Sequence, residues 1–356
     1  MGIRPNTKSD SFSTESETRS LPTVLGLSPG PDTRMRKDGA TSHNYRIRHP
    51  DVEALVERPS GDREASDPAL STISAYSDHM GHLVDRRRVL RIRGAGTDAA
   101  SAQEQPDQIA VEAPLTLRVG EQTVATTMRT PGHDLELALG WLVAEGVARR
   151  PGDVLEATSC DADTVQLRLA PHVTPPKPRL GATSSACGVC GSDTILEVLA
   201  RRGPAPEPGL PIVDAAVISA LPDRLRTAQR AFARSGGLHA AGLFTAGGKA
   251  VCVREDVGRH NAVDKVVGWA LQTGLLPATD LVLQVSGRAS FELTQKAAMA
   301  GIPLLSAVSA PSTLAVDLAR EAGLTLVGFV RGDSMNVYAG SDRISVRSRA
   351  SATSAT

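Results

Sequence analysis

The sequence predicts an α/β protein with a smaller α+β subdomain before the main sheet and a disordered N-terminal tail. Three observations carry this. Between residues 281 and 330, short aliphatic runs alternate with helix-period runs across short connections. That alternation is the pattern of a parallel α/β unit. Apolar residues make up 41% of the chain and aromatics only 3%, so its core must be built from Ala, Val, Leu and Ile. In contrast, 19 of the first 80 residues are Ser or Thr, and no apolar period of 2 or 3.6 persists there, as in disordered segments.

A chain of 356 residues has room for two domains. The expected division is a disordered extension over 1–80, an α+β subdomain over 84–180 and a mobile loop over 181–192. An α/β domain over 193–345 and a disordered tail over 346–356 complete it. The segment from Met80, MGHLVDRRRVLRIRG, also reads as the start of a folded unit, so translation from Met80 is an alternative to a long extension. Lys and Arg number 39 against 39 Asp and Glu. The zero balance argues against a nucleic-acid partner held by bulk charge. No run of 18 apolar residues offers a membrane span. The first residues lack the apolar stretch of a secretory signal, and the Met-Gly opening lacks a second anchor. A cytoplasmic location follows as the expectation. Four cysteines in so long a chain make no disulfide framework.

The elements read in order as follows. Val84, Val89, Leu90 and Ile92 suggest a short strand with an Arg-rich face, and Ala99 to Asp107 a loop. Val111–Val119 and Thr123–Thr130 alternate around Gly120-Glu121, a hairpin. A helix then opens with Thr130 as cap, Pro131 in the first turn and Asp134 at the positive end. Its apolar face is Leu135, Leu139, Leu142 and Val143. Asp153–Leu169 reads as a strand pair carrying Cys160, and Pro171–Gly181 is too rich in Pro for a helix. A helix follows from a Ser192 or Asp193 cap through Leu199, and another near 214–234. Ala240–Thr245 and Ala250–Arg254 form a hairpin around Gly247-Gly248, and Gly258 opens a helix through Leu271. The alternating unit then gives strand 281–285, helix 290–300, strand 303–308, helix 313–322 and strand 325–330.

Three turns follow those last strands: Ser286-Gly287-Arg288, Ser309-Ala310-Pro311-Ser312 and Arg331-Gly332-Asp333-Ser334. In a parallel sheet they share one edge, where ligands bind. Hydroxyls, guanidinium groups and free helix N–H groups there suit an anion, most simply phosphate. Taken singly, each Ser and Gly also reads as an ordinary cap or turn residue. His260 and Asn261 are site candidates in the same sense, or a surface donor and an N-cap.

Cys187 and Cys190 sit among small residues before a helix, a position that favours thiolate. Three chemistries compete there. A structural zinc site needs four ligands, usually as two close pairs, but the other cysteines, Cys160 and Cys252, are distant in sequence and lie in apolar alternating runs, as buried inert thiols do. A dithiol redox pair normally follows a strand, and the segment upstream is Pro-rich. A nucleophilic thiol can instead carry a transferable sulfur as a persulfide.

Ordered blocks across residues 109–345 resemble a known family. They include Met128-Arg129-Thr130-Pro131-Gly132, Cys187-Gly188-Val189-Cys190-Gly191 and Gly237-Leu238-His239-Ala240-Ala241. They continue with Arg254-Glu255-Asp256-Val257-Gly258-Arg259-His260-Asn261, Val285-Ser286-Gly287-Arg288 and Gln295-Lys296-Ala297-Ala298-Met299-Ala300-Gly301-Ile302-Pro303. The family is that of the formate dehydrogenase accessory sulfurtransferases (FdhD). The resemblance implies a cytidine-deaminase-like larger domain and a homodimer. It implies a sulfurtransferase that takes persulfide sulfur from a cysteine desulfurase and passes it to the molybdenum cofactor, Mo-bis(molybdopterin guanine dinucleotide), for formate dehydrogenase. Cys187 would be the carrier, with Cys190 assisting. The cofactor, bound as a substrate, would touch Met335, Asn336, Val337, Tyr338, Ala339 and Gly340, with Ser286 and Arg288 from the anion edge. The family usually reads Thr-His where this chain has Ala339-Gly340. No catalytic metal is implied. His239-Ala240-Ala241 has Ala where a zinc deaminase needs Glu, and the Cys pair lies upstream of it, so deaminase chemistry is not expected. Two other readings remain. One is a non-enzymatic chaperone for the cofactor, with structural cysteines. The other, weaker, is a zinc-dependent hydrolase.

Overall fold

A computed structural model describes residues 44–45, 83–178 and 195–346. The expected extension (apart from 44–45), the Met80 start, the 181–192 loop with its two cysteines, the Ser192 or Asp193 cap and residues 347–356 lie outside the described residues.

The chain folds in order as β1 (Val84–Arg93), β2 (Ser101–Ala110), β3 (Ala113–Val119), β4 (Gln122–Arg129), α1 (Asp134–Ala144), β5 (Val154–Asp161) and β6 (Thr164–Leu169). It continues with α2 (Ile195–Arg201), α3 (Ala215–Ala228), α4 (Arg230–Ser235), β7 (His239–Thr245), β8 (Ala250–Asp256) and α5 (Arg259–Gln272). The last third is β9 (Leu281–Val285), α6 (Phe291–Met299), β10 (Leu304–Ala307), α7 (Thr313–Glu321), β11 (Thr325–Arg331) and β12 (Ser334–Ala339). The mixed α/β class is the expected one.

One sheet has the order Asn44–Tyr45, β5, β6, β3, β4; the other is β8-β7-β9-β10-β11-β12. Within the second, β9, β10 and β11 are parallel, while β7 and β12 pair antiparallel to β9 and β11. Leu243, Leu283, Leu305 and Leu326 turn to the face that carries α5, α6 and α7. Phe244, Val282, Leu304 and Val327 turn to α3. Strand alternation thus lets both faces of one sheet be apolar.

The helices α1 and α5 cross in very close contact. A Cβ on Gly140 would overlap the carbonyl of Asp264, and one on Gly268 would overlap the carbonyl of Glu136. Only glycine lets two helix backbones approach so far. Through this crossing the apolar core runs from Leu117 and Leu167 of the first sheet to Leu283 of the second.

Several expectations are corrected. Residues 101–110 form β2, not a loop; β2 pairs with β1 along its whole length as a two-stranded ribbon. Both faces of that ribbon are largely solvated, so Ser-Ala-Gln-Glu-Gln-Pro carries no burial alternation to read. The α1 helix starts at Asp134, because Gly132 and His133 are left-handed, at φ 99° and 57°. Thr130 therefore does not cap it. The expected helix over 214–234 breaks at Gln229, where ψ is 75°. There the Glu255 carboxylate accepts hydrogen bonds from the N–H groups of Ala231 (3.0 Å) and Phe232 (2.7 Å), which starts α4 afresh. Asn261 lies inside α5 and Gly258 is its N-cap. His260 is buried rather than a surface donor. Cys160 is exposed, because it sits at the solvated end of β5, whereas Cys252 is buried as expected.

Candidate functional site

The parallel strands bring three turns to one sheet edge, and hydrogen bonds join them. Ser286 N donates to Ala240 O (3.0 Å), and Ala240 N donates to Ser286 Oγ (2.8 Å), which closes the start of β7 against the end of β9. Ser312 N donates to Ala289 O (3.1 Å), and Phe329 N donates to Ser309 O (3.2 Å). Arg331 Nε adds a bond to Val308 O (3.2 Å). Ser312 also accepts from Ala315 N (3.2 Å), capping α7. Phe329 holds a left-handed φ of 53° beside this seam. A non-glycine residue in that region stores strain that the surrounding contacts must hold.

The turn between β8 and α5 completes the edge, and almost every polar side chain of Arg254–Asn261 has a structural partner. Arg254 forms a two-pronged pair with Glu136 (2.6 and 2.7 Å). Glu255 caps α4. Asp256 accepts from Gly258 N (2.8 Å), Asn261 Nδ2 (3.0 Å) and Thr130 N (3.1 Å), and pairs with Lys265 (2.7 Å). Asn261 also donates to Met128 O (2.7 Å). Thr130, expected as a helix cap, instead accepts from Val257 N (3.1 Å) and donates to Val111 O (2.9 Å). His260 Nε2 lies 3.1 Å from Glu292 and 3.4 Å from Ser290 Oγ.

Arg259 is different. Its Nε is sealed from solvent and has no hydrogen-bond partner among the described residues. Burial lowers its pKa, and the nearby charge of Arg288 lowers it further, against an opposing pull from Glu292. His239 stands beside the Ser286–Arg288 turn, close to Arg259. The place a Cβ would take on Gly287 is 3.5 Å from His239 Nδ1 and 3.6 Å from Arg259 Cδ. Burial first, then the Arg259 charge, push the His239 pKa down, while Asp256 resists. His260 is pushed down to about 3 by burial and by the charges of Lys296, Arg259 and His239. Burial, with the Arg259 and Lys296 charges, thus disfavours the charged form of both histidines at this edge.

A cavity of about 520 Å³ opens beside it, with His239, Ser286, Val257, Arg226, Gln229 and Phe232 in its lining. The Arg226 guanidinium lies 3.9 Å over the Phe232 ring. Such stacking leaves the planar cation apolar on one face and polar at its rim.

Of the sequence-predicted residues, Ser286 and Arg288 stand at this edge. Met335 and Asn336 lie at the adjoining end of β12, Arg331 being paired with Ser334 across the hairpin. The strand then runs away, so Ala339 and Gly340 reach the opposite edge, with Ala339 beside Leu326. Met335 packs toward α3, and Tyr338 toward the α7 face. Asn336 and Val337 are exposed. Gly340 has φ 62°, and a Cβ there would meet Thr325 Oγ1 at 2.7 Å, so its identity has a steric reason. Cys187 and Cys190 lie outside the described residues. Among the described residues no group of three or more His, Cys, Asp or Glu is arranged to hold a metal. No helix there is long and apolar enough to cross a membrane. Sequence reasoning left Arg259 and His239 without a role. The available signal was the density of charge in Arg254–Asn261, but only the partners of its neighbours single Arg259 out.

Comparison with known proteins agrees with the fold. A crystal structure of a candidate formate dehydrogenase accessory protein from Desulfotalea psychrophila superposes with a TM-score of 0.59 at 23% identity, covering 74% of this chain and 99% of that one. Among curated proteins, the sulfur carrier protein FdhD of Streptomyces avermitilis is 50% identical over 76% of this chain and 99% of its own. That of Nocardia farcinica is 50% identical over 74% and 96%, and that of Mycobacterium tuberculosis 49% identical over 74% and 100%. A sequence model of the FdhD/NarQ family matches residues 110–345, and the chain belongs to that family.

Proposed function

We propose that this protein carries sulfur as a cysteine persulfide and delivers it to the molybdenum cofactor on behalf of formate dehydrogenase. The observation that carries the reading is half identity, over nearly their whole length, to proteins named as sulfur carriers. The chain also keeps the Cys187-Gly188-Val189-Cys190 pair among its matching segments.

Cys187 thiolate attacks the outer sulfur of a cysteine desulfurase persulfide. The donor's S–S bond breaks, its thiolate leaves, and the carrier holds an extra sulfur on Cys187. In the delivery step Cys190 thiolate attacks Cys187 Sγ, and hydrosulfide leaves toward the cofactor. The two thiols are thereby oxidised to a disulfide, which a cellular dithiol must reduce before the next cycle.

The substrate in this reading is Mo-bis(molybdopterin guanine dinucleotide), a phosphate-rich anion. The residues at the edge fit such a group: Ser286 offers a hydroxyl proton, since its oxygen already accepts from Ala240 N, and Arg288 is exposed. Met335–Gly340 would border it along β12. The cytidine-deaminase-like classification, the division at residues 181–192, a homodimer and a cytosolic setting belong to the same reading.

The test is persulfide-specific labelling with peptide mapping after incubation with a desulfurase and cysteine. An added sulfur on the peptide carrying Cys187 is expected, and Cys187→Ala should abolish it together with formate dehydrogenase maturation. Maturation by the Cys187→Ala protein at the wild-type level would leave the chain a cofactor chaperone without sulfur chemistry.

A further inference from the structure

We infer that Arg259 and Arg288 form a two-guanidinium clamp for a phosphoryl dianion, with His239 as a further donor beside the Gly287 turn. In the Arg254–Asn261 run, Arg254 is held by Glu136, Glu255 by two N–H groups of α4, Asp256 by Lys265, and Asn261 by Met128 O. Arg259 alone has no hydrogen-bond or ion-pair partner among the described residues, although its Nε is sealed from solvent. Holding that one N–H sealed from water and unmet costs free energy. Arg288 adds to that cost, because its charge is close enough to disfavour the Arg259 cation. Glu292 offsets this only in part, and two like charges gathered at one turn are stabilised further by an anion that accepts from both; the guanidinium fork matches phosphoryl oxygens.

The surroundings favour a dianion over a carboxylate side chain. The hydroxyl of Ser286 keeps its proton free to donate, since its oxygen is occupied by Ala240 N. His239 Nδ1 and Arg259 Cδ both lie within 3.6 Å of the place a Gly287 Cβ would take, and burial lowers the His239 pKa, so its ring offers an N–H without adding a third charge. Both Ser286 and His239 also line the adjoining cavity. A phosphoryl group in the clamp can therefore carry an organic portion into that space.

This deepens the ligand half of the reading above and rests on it only there. The test is calorimetric titration of the full chain with inorganic pyrophosphate at low ionic strength, where exposed charges are least screened. Saturable binding is expected. Arg259→Gln and Arg288→Gln should each weaken it about tenfold or more, the usual size for a lost charge-assisted bond. Arg259→Lys, which keeps the charge but not the fork, should fall between wild type and Arg259→Gln. Arg288 is exposed, so its variant reports on binding even if Arg259→Gln misfolds. Absence of binding, or wild-type affinity in Arg288→Gln, overturns the clamp. The two readings fail separately. A protein that gains persulfide yet ignores pyrophosphate loses the clamp alone. One that binds pyrophosphate through these arginines yet never gains persulfide keeps the clamp and loses the sulfur role.

Discussion

Lys265 Nζ stands 2.7 Å from Asp256 Oδ2, and solvent reaches neither side chain. The ammonium also donates to Thr130 O (2.9 Å). This pair joins the middle of α5 to the turn that delivers Arg259, and to the hairpin of the other sheet. Removing one partner leaves the other charge buried and unmatched, which typically costs about 3–5 kcal/mol. Lys265→Met should therefore lose stability of that order in urea unfolding. A loss below about 1 kcal/mol would show that the turn relaxes to let water reach Asp256.

The crossing of α1 and α5 makes a second, steric prediction. Gly140→Ala and Gly268→Ala each place a methyl group where a backbone carbonyl already is. Because backbone must move, each should cost about 3 kcal/mol or more, at the upper end of overpacking. The double variant should cost less than the sum, since one separation of the helices relieves both clashes. Thermal or denaturant unfolding of the three proteins decides it. Strict additivity would mean that the two glycines act independently.

Much of this arrangement was legible in the sequence, and the part that was not has physical reasons. The 281–330 unit was readable because its strands are aliphatic on both faces and its turns are short. Ribbon β1–β2 was only half readable, because a strand solvated on both faces has no burial period. Thr130 was misread because Thr before Pro and Asp is a good local cap signal, and its true partners, Val257 and Val111, are 127 and 19 residues away. The placing of Ser286 and Arg288 at one sheet edge followed from the strand–helix alternation, which brings carboxyl strand ends together. The isolation of Arg259 did not, because it emerges only when the partners of all its neighbours are known.

Buried titratable groups predict how stability responds to acid. His260 refuses a proton until about pH 3, whereas an unfolded histidine takes one near 6.5. Below 6.5 the unfolded chain thus binds the extra proton, and stability falls as pH drops toward 3. Glu136 adds to this lower down. Burial works against its carboxylate, but hydrogen bonds from Arg254 and His133 outweigh that and hold it to about 2, against an ordinary 4.5. Asp264 acts in the opposite direction, its pKa raised by burial to about 7 against the pull of Lys296. Comparing wild type with His260→Gln cancels the other groups. The variant should show a shallower fall in unfolding free energy between pH 6.5 and 4, by at most one proton, or about 1.4 kcal/mol per pH unit. Parallel curves would mean that His260 takes up its proton in the folded protein.

The two described cysteines should separate cleanly in reactivity. Cys252 lies on β8 with its side chain in the core, where burial pushes its thiol up to about 12. Thiolate is the reactive form, so Cys252 has almost none at neutral pH and no path for a reagent. Cys160 is exposed at the end of β5. Under native conditions iodoacetamide should modify Cys160 and spare Cys252, which should react only after unfolding in denaturant. This matters for the sulfur assay, because an exposed thiol competes for any sulfane donor. Cys160→Ser should leave the added sulfur on the Cys187 peptide unchanged. If the added sulfur instead maps to the Cys160 peptide of the wild-type protein and is lost with Cys160→Ser, the carrier assignment moves to β5.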